Sequence, residues 1–260
     1  MFDTIIVGGG SAGCALAGRL SEDPNHRVAL VEAGPADRSA LIHCPAGLAV
    51  LAKTGHYNWG YQTVPQPGLA GRRGYQPRGK VLGGSSAVNA MIYTRGHPRD
   101  YDDWAAQGNP GWSFAEVLPY FRRAEHNERG ADDWHGQGGP LNVMDLRSPN
   151  PFLAHFIEAG RQAGYPINTD FNGPQQEGIG VYQVTHRNGE RFSAAKAYVT
   201  PHLDRPNLQV FTDTLTTRVL TDVVDGQVRA TGIEFRPDGG RGPLKTLTLR
   251  PGGEGVLSAG

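Results

Sequence analysis

The sequence predicts an α/β fold, and three observations carry that expectation. The chain opens on a short apolar run, Phe2 to Val7, that stops at three consecutive glycines, Gly8 to Gly10. Small and apolar residues then recur at helical spacing through Ala12, Ala15, Leu16 and Leu20, and a second apolar run, Val28 to Val31, ends on an acid, Glu32. Short apolar runs bounded by turn residues read as buried strands, and the spacing between them reads as a helix.

The turn between the first strand and the helix has the spacing GxGxxG at Gly8, Gly10 and Gly13. Such a turn needs its first glycine for the tight bend, its second so that backbone can approach a pyrophosphate, and its third for close contact between helix and strand. The N–H groups at the start of the helix, at Ser11 and Ala12, would face the anion. Glu32 and its neighbour Ala33 stand at the tip of the second strand, where a carboxylate accepts hydrogen bonds from ribose hydroxyls and repels an added 2′-phosphate. This excludes NADP better than it chooses between NAD and FAD. Cys14, on the same helix, reads as a small packing residue.

A second glycine-rich stretch, "PRGKVLGGSSAVNAMIYTRG", covers residues 77–96. Gly83 and Gly84 carry no side chain to hold a ligand away, Ser85 and Ser86 offer hydroxyls, and Asn89 offers a donor and an acceptor. Together they suit a polar, planar ligand edge laid against main chain. Further on, "HPRDYDDWAAQG" reads as a short helix with an acidic start. "SFAEVLPYF" pairs Ser113 with Glu116 as a capping box before a helix that Pro119 should bend or split. "NPFLAHFIEAGRQAG" reads as a helix with Asn150 as N-cap, Pro151 in the first position, Phe152 and Phe156 on one face, and Gly164 as terminator. After about residue 207 the pattern is strand-like, in "NLQVFTD", "TTRVLTDVV" and "VRATGIEF", with Asp225-Gly226 as the hairpin turn between the last two.

Composition narrows the function classes. With 25 basic and 25 acidic residues and 38% hydrophobic content, the chain has no basic excess for nucleic acid. The 37 glycines and 19 prolines lie between apolar segments throughout, which signifies many tight turns. Two cysteines, Cys14 and Cys44, match no disulfide scaffold and no zinc ligand set, so no metal is expected and a reducing, cytoplasmic compartment is. No apolar run approaches the length of a membrane span.

Residues 79–102, from Gly79-Lys80 through the GGSS run and Asn89 to Tyr93, Gly96 and Asp102, closely resemble the first signature of the glucose-methanol-choline (GMC) oxidoreductases. The segments "FDTIIVGGGSAGCALAGRLSED", "LVEAG", "NWGYQTVPQPGLAGR", "GNPGWSFAEVLPYF", "RFSAAKAYVTP" and "VLSAG" resemble that family in order, nearest its choline-dehydrogenase-like branch. The resemblance implies a Rossmann-like FAD-binding domain of ββα-sandwich type at 1–140 and 190–260, with an α+β substrate-binding domain beginning at 141–189. It implies that Val81, Gly83, Gly84, Ser86 and the backbone of Asn89, Ala90, Met91 and Ile92 run along the flavin and its phosphates. It also implies that Val219 meets the adenine through its backbone and that Trp59 belongs to the cofactor environment. Some members attach FAD through a histidine just before the asparagine; Val88 stands there, so noncovalent FAD is expected. None of the nine histidines sits in a context like the family's catalytic motif, so the catalytic residues are expected beyond Gly260. The implied activity of the complete protein is oxidation of a primary alcohol to an aldehyde, the electrons passing to oxygen or another acceptor. The chain alone is expected to be inactive and to associate with a missing C-terminal domain or with itself. An NAD-dependent dehydrogenase and a non-catalytic dinucleotide-binding module are the alternatives.

Overall fold

The computed structural model describes residues 1–224 and 226–260, and the chain forms two compact units. The first comprises Met1–Ala90 and Ser193–Gly260, the second Met91–Phe192. The first unit begins with strand β1 (Phe2–Val7), helix α1 (Ser11–Leu20) and strand β2 (Val28–Val31). Helices α2 (Ala40–His43) and α3 (Leu48–Thr54) and a hairpin of β3 (Tyr61–Gln62) with β4 (Tyr75–Gln76) follow. The second unit holds α4 (Pro98–Ala106), α5 (Phe114–Ala124), β5 (Glu125–Asn127), β6 (Leu141–Val143), α6 (Phe152–Gln162), β7 (His186–Arg187) and β8 (Glu190–Arg191). Back in the first unit come a π-helical turn at Ala195–Val199 and strands β9 (Leu208–Phe211), β10 (Leu215–Val224), β11 (Gln227–Arg236) and β12 (Lys245–Leu257).

One six-stranded sheet organises the first unit, in the order β10-β11-β12-β1-β2-β9. β12, β1, β2 and β9 run parallel, whereas β10, β11 and the start of β12 pair antiparallel. Side chains of successive strand residues point to opposite faces. Accordingly Ile6, Val28 and Leu30 pack with Cys14 and Ala17 of α1, and Ile5, Ala29 and Val31 pack with Phe2, Ile233 and Leu249. Burial on both faces is why these strands read as unbroken apolar runs. β12, which the sequence patterns did not reveal, joins the two halves: Lys245–Thr248 pairs with β11, and Leu249 and Glu254–Leu257 with β1. Phe2 lies opposite Leu249 but Thr4 opposite Glu254, so the chain bulges through Pro251, Gly252 and Gly253. A proline cannot donate to a sheet ladder, and it is tolerated at such a bulge.

The expected helices form. His97 and Asp100 cap α4 reciprocally, and Glu116 accepts the Ser113 N–H at the start of α5. α5 continues unsplit through Pro119, contrary to one of the two outcomes expected of that residue. Asn150 Oδ1 accepts the Phe152 N–H at 3.0 Å, and Gly164 ends α6 with φ +91°. Pro151 itself precedes the first residue of α6, one position outside the expected place. Of the turn Asp225-Gly226, Asp225 lies outside the described residues, but β10 and β11 pair across it.

The first unit boundary falls at Ala90/Met91, whereas the sequence division placed it near 140. The physical reason is Arg95: its guanidinium bonds to Glu125 and the Trp134 carbonyl, and its N–H to Asn172, tying the segment after Met91 into the second unit.

Candidate cofactor site

The glycine turn is built by contacts that side chains would forbid. Gly8 has φ +103° and donates its N–H to the Val31 carbonyl at 2.7 Å; a Cβ there would stand 2.6 Å from the Ser258 oxygen. A Cβ on Gly13 would overlap the Gly8 carbonyl, so helix and turn touch through bare backbone. Gly10 is different. A Cβ there meets nothing within 4 Å. The protein itself therefore does not require its bareness, and the space beside Gly10 is open. The Cys14 N–H donates to the Gly10 carbonyl at 2.9 Å, leaving the exposed Ser11 and Ala12 at the positive end of α1.

Glu32 follows β2 directly and is buried. Its Oε2 accepts the Gly9 N–H and its Oε1 the Gly34 N–H, both at 2.8 Å. Burial pushes its pKa up, against the pull of those amides and of the Lys80 ammonium. A carboxylate carries about four acceptor positions, so both oxygens keep capacity for ribose hydroxyls. Ala33 beside it is half-buried. Cys14 packs fully buried against Ile6 and Leu30, its Sγ donates to the Gly9 carbonyl at 3.1 Å, and burial pushes its thiol up to about 12.

The second glycine stretch lies against the first. Gly83 donates its N–H to the Gly9 carbonyl at 2.7 Å, and Leu82 donates to the Pro35 carbonyl at 2.9 Å. Gly84 has φ +54°, and a Cβ on it would stand 2.7 Å from Gly10 Cα. A Cβ on Gly34 would overlap Lys80, and one on Gly79 would overlap Gly84. Pairs of bare backbone segments thus seat both loops on one another. Ser86 spends its hydroxyl on this frame, donating to the Gly83 carbonyl at 2.6 Å and accepting the Ala194 N–H at 2.9 Å. Ser85 accepts the Gly79 N–H.

The other expected site residues are placed as follows. The Val81 side chain is fully buried with Ile42 and Ala87, leaving only its backbone to offer. Asn89 and Ala90 are exposed, and Asn89 donates its N–H to the Ser85 carbonyl at 2.9 Å. Met91 and Ile92 open the second unit, Met91 buried and Ile92 half exposed. Trp59 stacks on Tyr61, rings 5.8 Å apart, with the Lys80 ammonium 4.5 Å from its centre. Val219 lies in the edge strand β10 opposite Ile233 and is partly exposed. The structure therefore brings together Gly8, Gly10, Gly13, Glu32, Gly83, Gly84 and Ser86. Gly9, Gly34, Pro35 and Gly79 join them, and the glycines in "EAGP" and "PRGK" were the signal that could have marked two of these, Gly34 and Gly79.

The second unit contains a buried polar cluster that no pattern announced. Glu125 accepts from Arg95 at 2.8 Å, the Gly136 N–H at 3.0 Å and Asn127 at 3.0 Å. His135 bridges Glu125 at 3.0 Å and Asp170 at 2.9 Å. Burial alone would lower the His135 pKa, but the hydrogen bonds to Asp170 and Glu125 outweigh it and hold the imidazole at about 9. Among the described residues no His, Cys, Asp and Glu group is arranged to hold a metal, and no helix is long and apolar enough to cross a membrane.

A helix entered through a glycine turn, an acid at the end of the next parallel strand, and a second glycine loop seated on that turn define a Rossmann-like, dinucleotide-binding α/β protein. The family follows from comparison. Residues 2–260 match the model for the N-terminal domain of GMC oxidoreductases, and the chain belongs to that family, whose members are flavoproteins. It is 44% identical to the alcohol dehydrogenase [acceptor] of Pseudomonas putida, covering 100% of this chain and 46% of that protein. It is 48% identical to mitochondrial choline dehydrogenase of Mus musculus, covering 91% and 40%. Among solved structures, pyridoxine 4-oxidase from Mesorbium loti superposes with a TM-score of 0.90 at 36% identity, over 100% of this chain and 50% of that one. The chain thus spans less than half the length of these curated relatives.

Proposed function

We propose that this chain is the N-terminal part of an FAD-dependent, choline-dehydrogenase-like oxidoreductase that oxidises a primary alcohol to an aldehyde. The observation that carries the reading is the seating of Gly84 on Gly10 beside an open approach to the start of α1, a cradle that any side chain on Gly84 would disrupt. The names of the relatives, alcohol dehydrogenase and choline dehydrogenase, support a CH–OH donor. Bound FAD would supply, at its N5, the acceptor for the substrate hydride, with oxygen or another acceptor as the destination of the electrons.

The chain's own residues bind and orient. The N–H groups at Ser11 and Ala12 stabilise the pyrophosphate, since a helix start carries partial positive charge. Glu32, fixed by Gly9 and Gly34, accepts from the ribose. Gly83, Gly84 and the backbone of Asn89, Ala90, Met91 and Ile92 lie along the flavin, and the backbone of Val219 serves the adenine. Val88 offers no nucleophile, so the flavin is held noncovalently. The first compact unit is the FAD-binding domain, and the second belongs to the substrate-binding domain. No histidine of this chain is assigned as the base.

The complete protein, purified, should be yellow, with flavin absorbance that bleaches on adding a primary alcohol without oxygen. Gly84→Val should lower FAD content at least tenfold, about 1.4 kcal/mol of binding, with far-ultraviolet circular dichroism unchanged. A folded protein that is colourless and refuses added FAD overturns the reading, and reversible NADH binding by such a protein favours a nicotinamide enzyme instead.

A further inference from the structure

Six non-glycine residues have positive φ among those described, and Met91, at φ +61°, is the only buried one. Most of the others are Asn, Asp or exposed turn residues, for which this conformation is ordinary. A long apolar side chain in the left-handed region is strained and persists only where its surroundings over-determine it. Here the determinants are explicit. The Met91 carbonyl accepts the Thr185 N–H at 2.8 Å and the Thr185 hydroxyl at 3.3 Å. Ile92 pairs with Val184 in an antiparallel bridge, and Tyr93 donates its N–H to the Gln183 carbonyl at 2.9 Å. The side chain is tethered as well: Met91 Sδ lies 3.1 Å from His186 Nε2.

A thioether sulfur only accepts, so His186 must carry its proton on Nε2 in this contact. Burial and the nearby Arg191 charge lower the His186 pKa, which keeps the ring neutral near pH 7. Its other side lines an open cavity of about 220 Å³ with Met144, Leu146, Arg147, Ser148 and Gly189. The imidazole is thus a bracket reaching from the surface to one buried sulfur, and replacing it leaves no sealed void.

We propose that His186 is a positioning residue for the flavin: by donating Nε2–H to Met91 Sδ it holds, with Thr185, the left-handed turn that sets the Met91–Ile92 backbone. This rests on the reading above, in which that backbone lies along the ring. Loss of the tether frees the Met91 side chain while Thr185 still grips the carbonyl, so the left-handed turn relaxes at the Ala90–Met91 peptide without the cofactor being expelled.

The test uses the complete FAD-loaded protein and three variants, His186→Ala, His186→Gln and Met91→Leu. His186→Ala should shift the visible flavin bands and the midpoint potential at unchanged FAD-to-protein ratio, and Met91→Leu should shift both in the same direction. Their combination should add nothing, since both delete one contact. His186→Gln keeps an N–H within reach of the sulfur and should restore the native spectrum. Wild-type protein that binds FAD, with a His186→Ala spectrum and potential identical to it, overturns this inference alone. Additive effects in the double variant also overturn it. Wild-type protein that binds no FAD overturns both this inference and the reading beneath it.

Discussion

The first unit joins its segments where side chains are missing, Gly13 against Gly8 and Gly84 against Gly10; the second joins them through side chains that are fully present, Arg95 to Glu125 to His135 to Asp170. The two devices fail differently. A backbone contact has no protonation state and is lost only by adding bulk. A buried ionic cluster is lost by removing a single atom or a single proton, because the partner left behind stays charged and dry. The glycine contacts of the first unit are thus insensitive to pH, and the ionic cluster of the second is not.

The largest expected effect tests the steric half of this contrast. Gly13→Val places a branched side chain on the Gly8 carbonyl, forcing α1 away from β1, and should cost about 3 kcal/mol or more. The protein should appear mostly insoluble, and a soluble variant with native circular dichroism and full FAD content would break the comparison. Next comes Glu125→Gln, which leaves the Arg95 and His135 charges without their buried counter-ion. A loss of about 3–5 kcal/mol is expected in urea unfolding. FAD content of the fraction that remains folded should be unchanged.

The pH dependence should separate the units further. The folded His135 pKa, about 9, lies above its ordinary value of 6.5. Its contribution is therefore fully present below pH 6.5 and is lost as pH rises through about 9. The loss amounts to at most about 3–4 kcal/mol, at 1.4 kcal/mol per pKa unit. Asp170, whose pKa is lowered by the same contact despite its burial, works in the opposite sense and loses its contribution in acid. Unfolding measured from pH 6 to 10 should show the alkaline loss in wild type and a flatter curve in His135→Gln. A curve equally steep in both would assign the alkaline loss elsewhere.

The same contrast explains what the sequence disclosed. Gly8 and Gly13 were legible because a steric requirement fixes residue type and spacing together, a Cβ on either meeting backbone, and Gly10 and Glu32 were legible from their places in the same spaced motif. Gly83 and Gly84 were legible for the same reason, though their partner, the Gly9–Gly10 backbone, was not. The cluster around Glu125 was silent because its members are far apart in sequence, Arg95 30 positions before Glu125 and Asp170 35 positions after His135, and polar residues there look like surface. Ser86 was read as a ligand group, whereas its hydroxyl serves the loop first. β12 was missed because Pro251, Gly252 and Gly253 interrupt its alternation, and those residues form the bulge that lets one strand serve two partners.

The smallest expected change in stability is also the sharpest probe of what the cradle is for. Gly10 has φ −77° and ψ −164°, which any residue adopts, and a methyl group there touches nothing within 4 Å. Gly10→Ala should therefore leave the cofactor-free protein within about 0.5 kcal/mol of wild type, as for an unconstrained surface change. On the proposed reading the same methyl would stand in the path of the pyrophosphate to the start of α1, so FAD affinity should fall about tenfold, equivalent to about 1.4 kcal/mol. Thermal melts of the FAD-free protein and reconstitution titrations of the complete one measure the two quantities separately. Unchanged affinity would mean that the bareness of Gly10 serves no ligand, and that the open space beside α1 is not where the dinucleotide lies.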